Sequence, residues 1–187
     1  MIAAPVDELA TLDEVLALQR RNLPRLLTPE EARDQGFVTL EHTRAALETL
    51  HAAMPSIVAR ADGPLLGYAL AMARECRNVM PVLVPMFEVL DQLGTPGGPL
   101  ADRRWYVMGQ VCVAREARGT GVLEALYAAH RQAYSGRFDL LVTEIAERNP
   151  RSLRAHARVG FQELHRYRDA TDAWVVVGWD WGGGGHH

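Results

Sequence analysis

Apolar positions along the chain change period from segment to segment. Leu12, Val15, Leu16 and Leu18 or Leu23 recur at near-helical spacing, which predicts a helix over 12–22. Thr28, Pro29, Glu30 and Glu31 read as a further helix start, with a capping hydroxyl, proline in the first turn and an acid three residues on. Ala46, Leu47 and Leu50 form the apolar face of a helix over about 40–53. Residues 56–61 and 65–73 are apolar runs joined at Asp62, Gly63 and Pro64, the pattern of two strands in a hairpin. The rhythm breaks over 74–104, where Pro81, Pro85, Pro96 and Pro99 mix with Gly94, Gly97 and Gly98 around one short helical patch at 86–93. That stretch is expected to be an insertion or extended loop that covers something.

The second half is more regular. It predicts a strand at 105–113, a helix at 121–134, a strand at 139–144, a helix at 149–159, and strands near 161–167 and 174–179. A β-α-β-α-β order after an antiparallel hairpin implies a mixed α/β sheet with helices on both faces. There is no internal repeat, low-complexity tract or linker, so residues 1–181 are expected to form a single domain. The glycine-rich stretch 182–187, ending in two histidines, is expected to be a disordered tail or the remnant of a tag.

Composition narrows the chemistry. A chain of 187 residues, 48% of them hydrophobic, is long enough to bury a sizeable core. A net charge of −3 argues against a nucleic-acid partner, which calls for a basic surface. All 20 basic residues are arginine, so any mechanism that needs a lysine is excluded. Cys76 and Cys112 form no CxxC pair, and no disulfide framework or metal site is expected. Apolar runs stay far short of the ~18 residues of a membrane span, and no basic-then-apolar leader opens the chain. A cytoplasmic protein off the membrane is the expectation.

One turn proposes a ligand class. The strand carrying Val111, Cys112 and Val113 runs into Arg118, Gly119, Thr120 and Gly121, and then into a helix at Val122 and Leu123. A glycine-bearing turn at a helix N-terminus points several backbone N–H groups at one spot, where the helix dipole also favours an anion. A phosphate-binding P-loop requires a lysine, which the chain lacks. The dinucleotide pattern GxGxxG fits Gly119 and Gly121 but fails at Glu124. Taken alone, the turn leaves open a plain strand-to-helix connection that uses glycine for its geometry.

A second constellation lies one strand downstream: Asn149, Ser152, His156, Gly160 and Phe161. With both sets in this order, the chain resembles the GNAT superfamily of acyl-CoA-dependent N-acyltransferases. The first motif is matched by Arg118, Gly121 and, imperfectly, Leu123, where a small residue is usual. The resemblance covers most of the chain and leaves 74–104 outside. It implies a mostly antiparallel sheet of about six or seven strands with a splayed fourth and fifth pair. It also implies acetyl-CoA as co-substrate, no metal, and acetyl transfer by direct attack of a small-molecule acceptor's primary amine on the thioester. On this resemblance the pyrophosphate rests on Arg118, Gly119, Thr120, Gly121 and Val122. The pantetheine arm pairs with the main chain of Val111, Cys112 and Val113. Asn149 and Ser152 line the opposite wall, although Asn149 before Pro150 also reads as an ordinary helix cap.

Candidate catalytic groups follow. His156 stands where the superfamily often has a tyrosine near the sulfur, and an imidazole with an ordinary pKa of about 6.5 can protonate a departing thiolate. The alternative is a half-buried histidine in a structural hydrogen bond. Glu144 ends an otherwise apolar strand and is the candidate general base, because an acid there is costly unless paired or functional. Its alternative is an exposed carboxylate at the strand's rim. Gln110 is a candidate to orient the acceptor or a water, and Cys112 is read as a small core residue rather than an acyl carrier. His42, His51, His130 and His165 lack ligand spacing and are expected at the surface or in caps. The N-terminal helices and 74–104 should wall the acceptor side, unless 74–104 packs against a second copy in a homodimer. A reading of another class is a non-catalytic acyl-CoA-binding or sensing module, and a third is a structural protein without the ligand.

Overall fold

The computed structural model describes residues 1–23, 40–95 and 97–182. The helix start expected at Thr28 and the tail from 183 lie outside the described residues. Seven strands form one sheet: β1 (Ile2–Pro5), β2 (Ile57–Arg60), β3 (Leu65–Met72), β4 (Trp105–Val113), β5 (Leu140–Ala146), β6 (Gln162–Arg168) and β7 (Ala173–Asp180). Their spatial order is β1-β2-β3-β4-β5-β7-β6, and every pairing is antiparallel except β4 with β5. β1 was not expected, because four residues ending in proline carry no readable alternation; it pairs with β2 at the sheet edge, where proline costs no ladder bond.

The helices are α1 (Thr11–Arg21), α2 (Arg44–Ala53), α3 (Val84–Asp91), α4 (Val122–Tyr134) and α5 (Pro150–Val159). Thr43 starts α2 by accepting a hydrogen bond from the Ala46 N–H at 3.2 Å. Adjacent side chains of a strand point to opposite faces. Trp105 accordingly meets Phe87 of α3, whereas Tyr106 meets His130 and Tyr134 of α4. The sheet is thus covered by helices on both faces. No described helix is long and apolar enough to cross a membrane.

Residues 74–104 are more ordered than an extended loop. They hold two 3₁₀ turns, α3, a two-residue hairpin and a third 3₁₀ turn. Phe87, Leu90 and Leu100 are fully buried, and Asp91 ties the segment together by pairing with Arg74 at 3.0 Å and Arg77 at 2.7 Å. The segment's own apolar side chains therefore extend the core. His42 and His130 are also corrections: both are buried, not on the surface. The Nδ1 of His130 lies 2.9 Å from the Tyr106 hydroxyl and its Nε2 3.2 Å from the Ala69 carbonyl.

Candidate active site

The site begins where two neighbouring strands part. β4 and β5 pair at Trp105–Leu140, Tyr106–Leu141 and Val107–Val142, and no further. One residue later β4 bulges: Met108 faces Ala71 and Gln110 faces Leu70, so Gly109 has no partner in β3. A bulge adds local twist, which turns the rest of β4 away from β5. From there Gly109, Val111 and Val113 are half-exposed while Gln110 and Cys112 point into the protein. The freed edge leaves main-chain groups available to an extended ligand, which can pair with it as an added strand.

A cleft of about 730 Å³ opens along this edge. One wall is Val111, Cys112 and Val113, the floor is the turn from Ala117 to the start of α4, and the opposite wall is α5. In the turn, Gly119 (φ 77°) and Gly121 (φ 85°) are both left-handed, and a Cβ at either would meet no atom. The glycines are set by backbone conformation and not by lack of room. Gly121 is the N-cap of α4 and provides no side-chain cap, so the first-turn N–H groups are left for water or a ligand. Thr120 does not line the cleft; its hydroxyl donates to the Ala117 carbonyl at 2.7 Å and closes the turn.

Arg118 sits beneath the turn, donating to Asn22 Oδ1 at 2.6 Å and to the Val113 carbonyl at 3.3 Å. Burial lowers its pKa from the usual arginine value, yet a guanidinium stays charged near neutrality. Across the cleft, Asn149 caps α5 by accepting from the Ser152 N–H at 3.2 Å, and both residues line the wall. Arg151, Arg154 and Arg158 of α5 also line it, a basic face that no motif in the sequence announced. Their spacing of three and four residues on a helix was the available signal. Against these four arginines stands one carboxylate, Glu124, so the cleft suits a polyanion.

His156 reaches the cleft but is 2% exposed. Its Nδ1 lies 2.8 Å from the Ser152 carbonyl, which can only accept, so that nitrogen carries the hydrogen. Nε2 then accepts from the Tyr127 hydroxyl at 2.6 Å. Burial pulls its pKa down to about 4, and the imidazole is neutral at pH 7. Burial likewise pushes the Cys112 thiol up to about 12, so it holds no thiolate. Gln110 lines neither cavity: its Oε1 accepts from Gln19 at 2.9 Å and Tyr68 at 2.6 Å, and its amide donates to the Leu40 carbonyl at 2.8 Å. It braces β4 against α1 and orients nothing in solvent.

A second cavity of about 240 Å³ lies against Val107, Met108 and Gly109, on the other side of the bulge from the cleft's Val111. Glu144 faces it. The strand runs two residues past Glu144, to Ala146, so the carboxylate is inside β5 and not at its rim. It accepts a hydrogen bond from the Tyr167 hydroxyl. Burial lifts its pKa to about 7; the Tyr167 bond lowers it and the nearby Asp169 charge raises it. Val82, Leu83 and Met86 of the 74–104 segment form part of the wall. Among the described residues, no cluster of histidine, cysteine and carboxylate side chains suits a metal ion.

Solved structures share the overall fold. A GNAT-family acetyltransferase of Streptococcus agalactiae matches with a TM-score of 0.66 at 14% identity, over 95% of this chain and 94% of that one. This chain has the GNAT fold. The ribosomal-protein-S18-alanine N-acetyltransferase of Escherichia coli matches at TM-score 0.64 and 11% identity, over 98% of this chain and 96% of the other. The ribosomal-protein-alanine N-acetyltransferase of Brucella melitensis gives 0.60 and 18%, over 96% and 99%. No family model and no curated protein matches the sequence. The GNAT architecture is therefore carried by topology at identities too low to transfer an acceptor.

Proposed function

We propose that the protein is an N-acetyltransferase that takes an acetyl group from acetyl-CoA and passes it to a primary amine. The observation that carries this reading is the cleft at the splay: an unpaired β4 edge leading to an uncapped helix N-terminus among arginines. An extended chain ending in phosphates fits that sequence of surfaces. The pyrophosphate lies against Gly119, Gly121, Val122 and Arg118, and Arg151, Arg154 and Arg158 face the remaining phosphate charge. Val111 and Val113 offer main-chain bonds to the pantetheine amides, and Asn149 and Ser152 close the other side. Acetyl-CoA supplies the activated acyl group.

The protein's own contribution is position and a proton acceptor. The main chain of β4, which lines the second cavity at Gly109 and the cleft at Val111, orients the carbonyl that is attacked. Glu144, poised near neutrality in the second cavity, takes the proton from the incoming ammonium. His156 acts as a positioning residue: neutral, with its one N–H on the Ser152 carbonyl and Nε2 accepting from Tyr127, it fixes α5 against α4 and protonates nothing. The departing thiolate is protonated by solvent. Cys112 forms no acyl intermediate, and attack is direct.

The test is thiol release from acetyl-CoA with a panel of amines. Amine-dependent release with an acetylated product by mass spectrometry is the expected result. CoA binding without turnover across the panel would instead favour a binding or sensing module, and neither binding nor turnover would remove the ligand reading.

A further inference from the structure

The second cavity has two unlike sides. Leu83, Met86, Met108 and Trp174 give it apolar wall, supplied largely by the 74–104 segment and β4. The far ends of β5 to β7 give it carboxylates: Glu144, Asp169 and Asp172. Asp172 is matched by Arg148, whose Nε lies 2.6 Å from it. Asp169 is set differently. Its Oδ1 accepts from the Thr171 hydroxyl at 2.6 Å, the Thr171 N–H at 2.7 Å and the Asp172 N–H at 2.9 Å. Those donors hold its pKa down to about 2, so it is anionic at any working pH. The cavity therefore keeps a fixed negative charge beside the titrating Glu144, with its one lining arginine already facing a carboxylate.

Its volume, about 240 Å³, lies below the roughly 300–1,000 Å³ usual for drug-sized ligands. A polycation would leave further ammonium groups against Met86 and Leu83, without partners. An α-amino acid would bring its own carboxylate against Asp169 and Glu144. What both sides satisfy is one positive charge on a short apolar body.

Resting on the acetyltransferase reading, we propose that the acceptor is a small monocationic amine with an aromatic or branched aliphatic body and no carboxylate beside the amine. Its ammonium lies toward Glu144 and Asp169, and its body packs on Met86, Leu83 and Trp174. The 74–104 segment thus sets acceptor specificity, with Val82, which is 55% exposed, at its mouth.

The test measures kcat/KM with acetyl-CoA for four acceptor groups: arylalkyl and branched alkyl monoamines, spermidine and an aminoglycoside, free amino acids, and short peptides with free N-termini. The monoamines should exceed each other group at least tenfold. Val82→Arg, at an exposed position, should raise KM for the best monoamine at least fivefold while leaving KM for acetyl-CoA unchanged. Higher kcat/KM for polyamines, amino acids or peptides, or an unchanged amine KM in V82R, overturns the acceptor class alone. Absence of turnover with every group, in protein shown to bind CoA, overturns the acetyltransferase reading on which it rests.

Discussion

Replacing Glu144 by glutamine should separate activity from stability in opposite directions. The side chain keeps its shape, and the amide oxygen can still accept from Tyr167. In the folded protein the carboxyl titrates at about 7, against an ordinary value of 4.5. A gap of about 2.5 units at about 1.4 kcal/mol each means that ionising Glu144 costs the fold roughly 3 kcal/mol. The folded pKa is raised, so the native state holds the proton longer than the unfolded chain. Glu144 therefore supports the fold fully below pH 4.5, and that support is lost as pH rises through 7. Glutamine does not titrate, and its amide N–H needs a partner, a cost of about 1 kcal/mol. E144Q should be slightly less stable than wild type at pH 4 and about 2 kcal/mol more stable at pH 8. The difference in Tm between the two proteins should swing by about 6–12 °C across that range. Histidines common to both proteins cancel in the difference. In activity, wild-type kcat/KM should rise with pH through about 7, and E144Q should lose that limb together with a factor of about 10²–10⁴ in kcat. Wild-type turnover by E144Q would refute the base assignment. A pH-independent Tm difference would refute the burial argument beneath it.

Other substitutions probe the cleft and the core. Gly121→Val places a β-branched residue at φ 85°, which should cost about 1–2 kcal/mol in stability and raise KM for acetyl-CoA at least tenfold, with KM for the amine little changed. His42, His130 and His156 are each pulled down to about 4 by burial. Their depressed values mean that the fold is supported above pH 6.5 and loses that support as pH falls toward 4. Unfolding there takes up one proton at each histidine and releases one at Glu144, so acid unfolding should show a net uptake of up to two protons and a slope approaching ~3 kcal/mol per pH unit. His156→Asn should lower Tm and leave the pH profile of kcat in place; a lost alkaline limb would restore His156 as the acid.

The parts legible in the sequence were those with local causes. The helix over 12–22, the hairpin at Asp62 and Gly63, and the turn at Gly119 and Gly121 are fixed by period or by φ, and the chain places them within a residue or two of expectation. The cleft residues Val111, Val113, Arg118, Asn149 and Ser152 fall together because two short motifs flank one strand. What escaped depends on packing between distant segments. His42 reads as a surface histidine until Gln19 of α1 is seen beside its ring at 3.0 Å. Gln110 reads as a group that orients the acceptor or a water because alternation in β4 is shifted by the bulge at Gly109, which no composition rule marks. Within 74–104 the short helix was legible as the patch at 86–93, whereas the 3₁₀ turns around it and the burial of Phe87 and Leu90 were hidden among prolines and glycines. The charge state of Glu144 follows first from burial by segments distant in sequence, and then from Tyr167 and Asp169 at the end of β6, more than twenty residues on.

The claim on which the rest stands is that the cleft at the splay of β4 and β5 holds the CoA moiety. Thermal unfolding followed over rising CoA concentration tests it directly. Binding to the folded state alone requires stability to grow with the logarithm of concentration, reaching about 2.7 kcal/mol at a hundredfold excess over Kd, or roughly 5–11 °C in Tm for a chain of this size. Wild type should follow that line and Gly121→Val should shift it to higher concentration. A Tm that stays flat from micromolar to millimolar CoA would contradict the account.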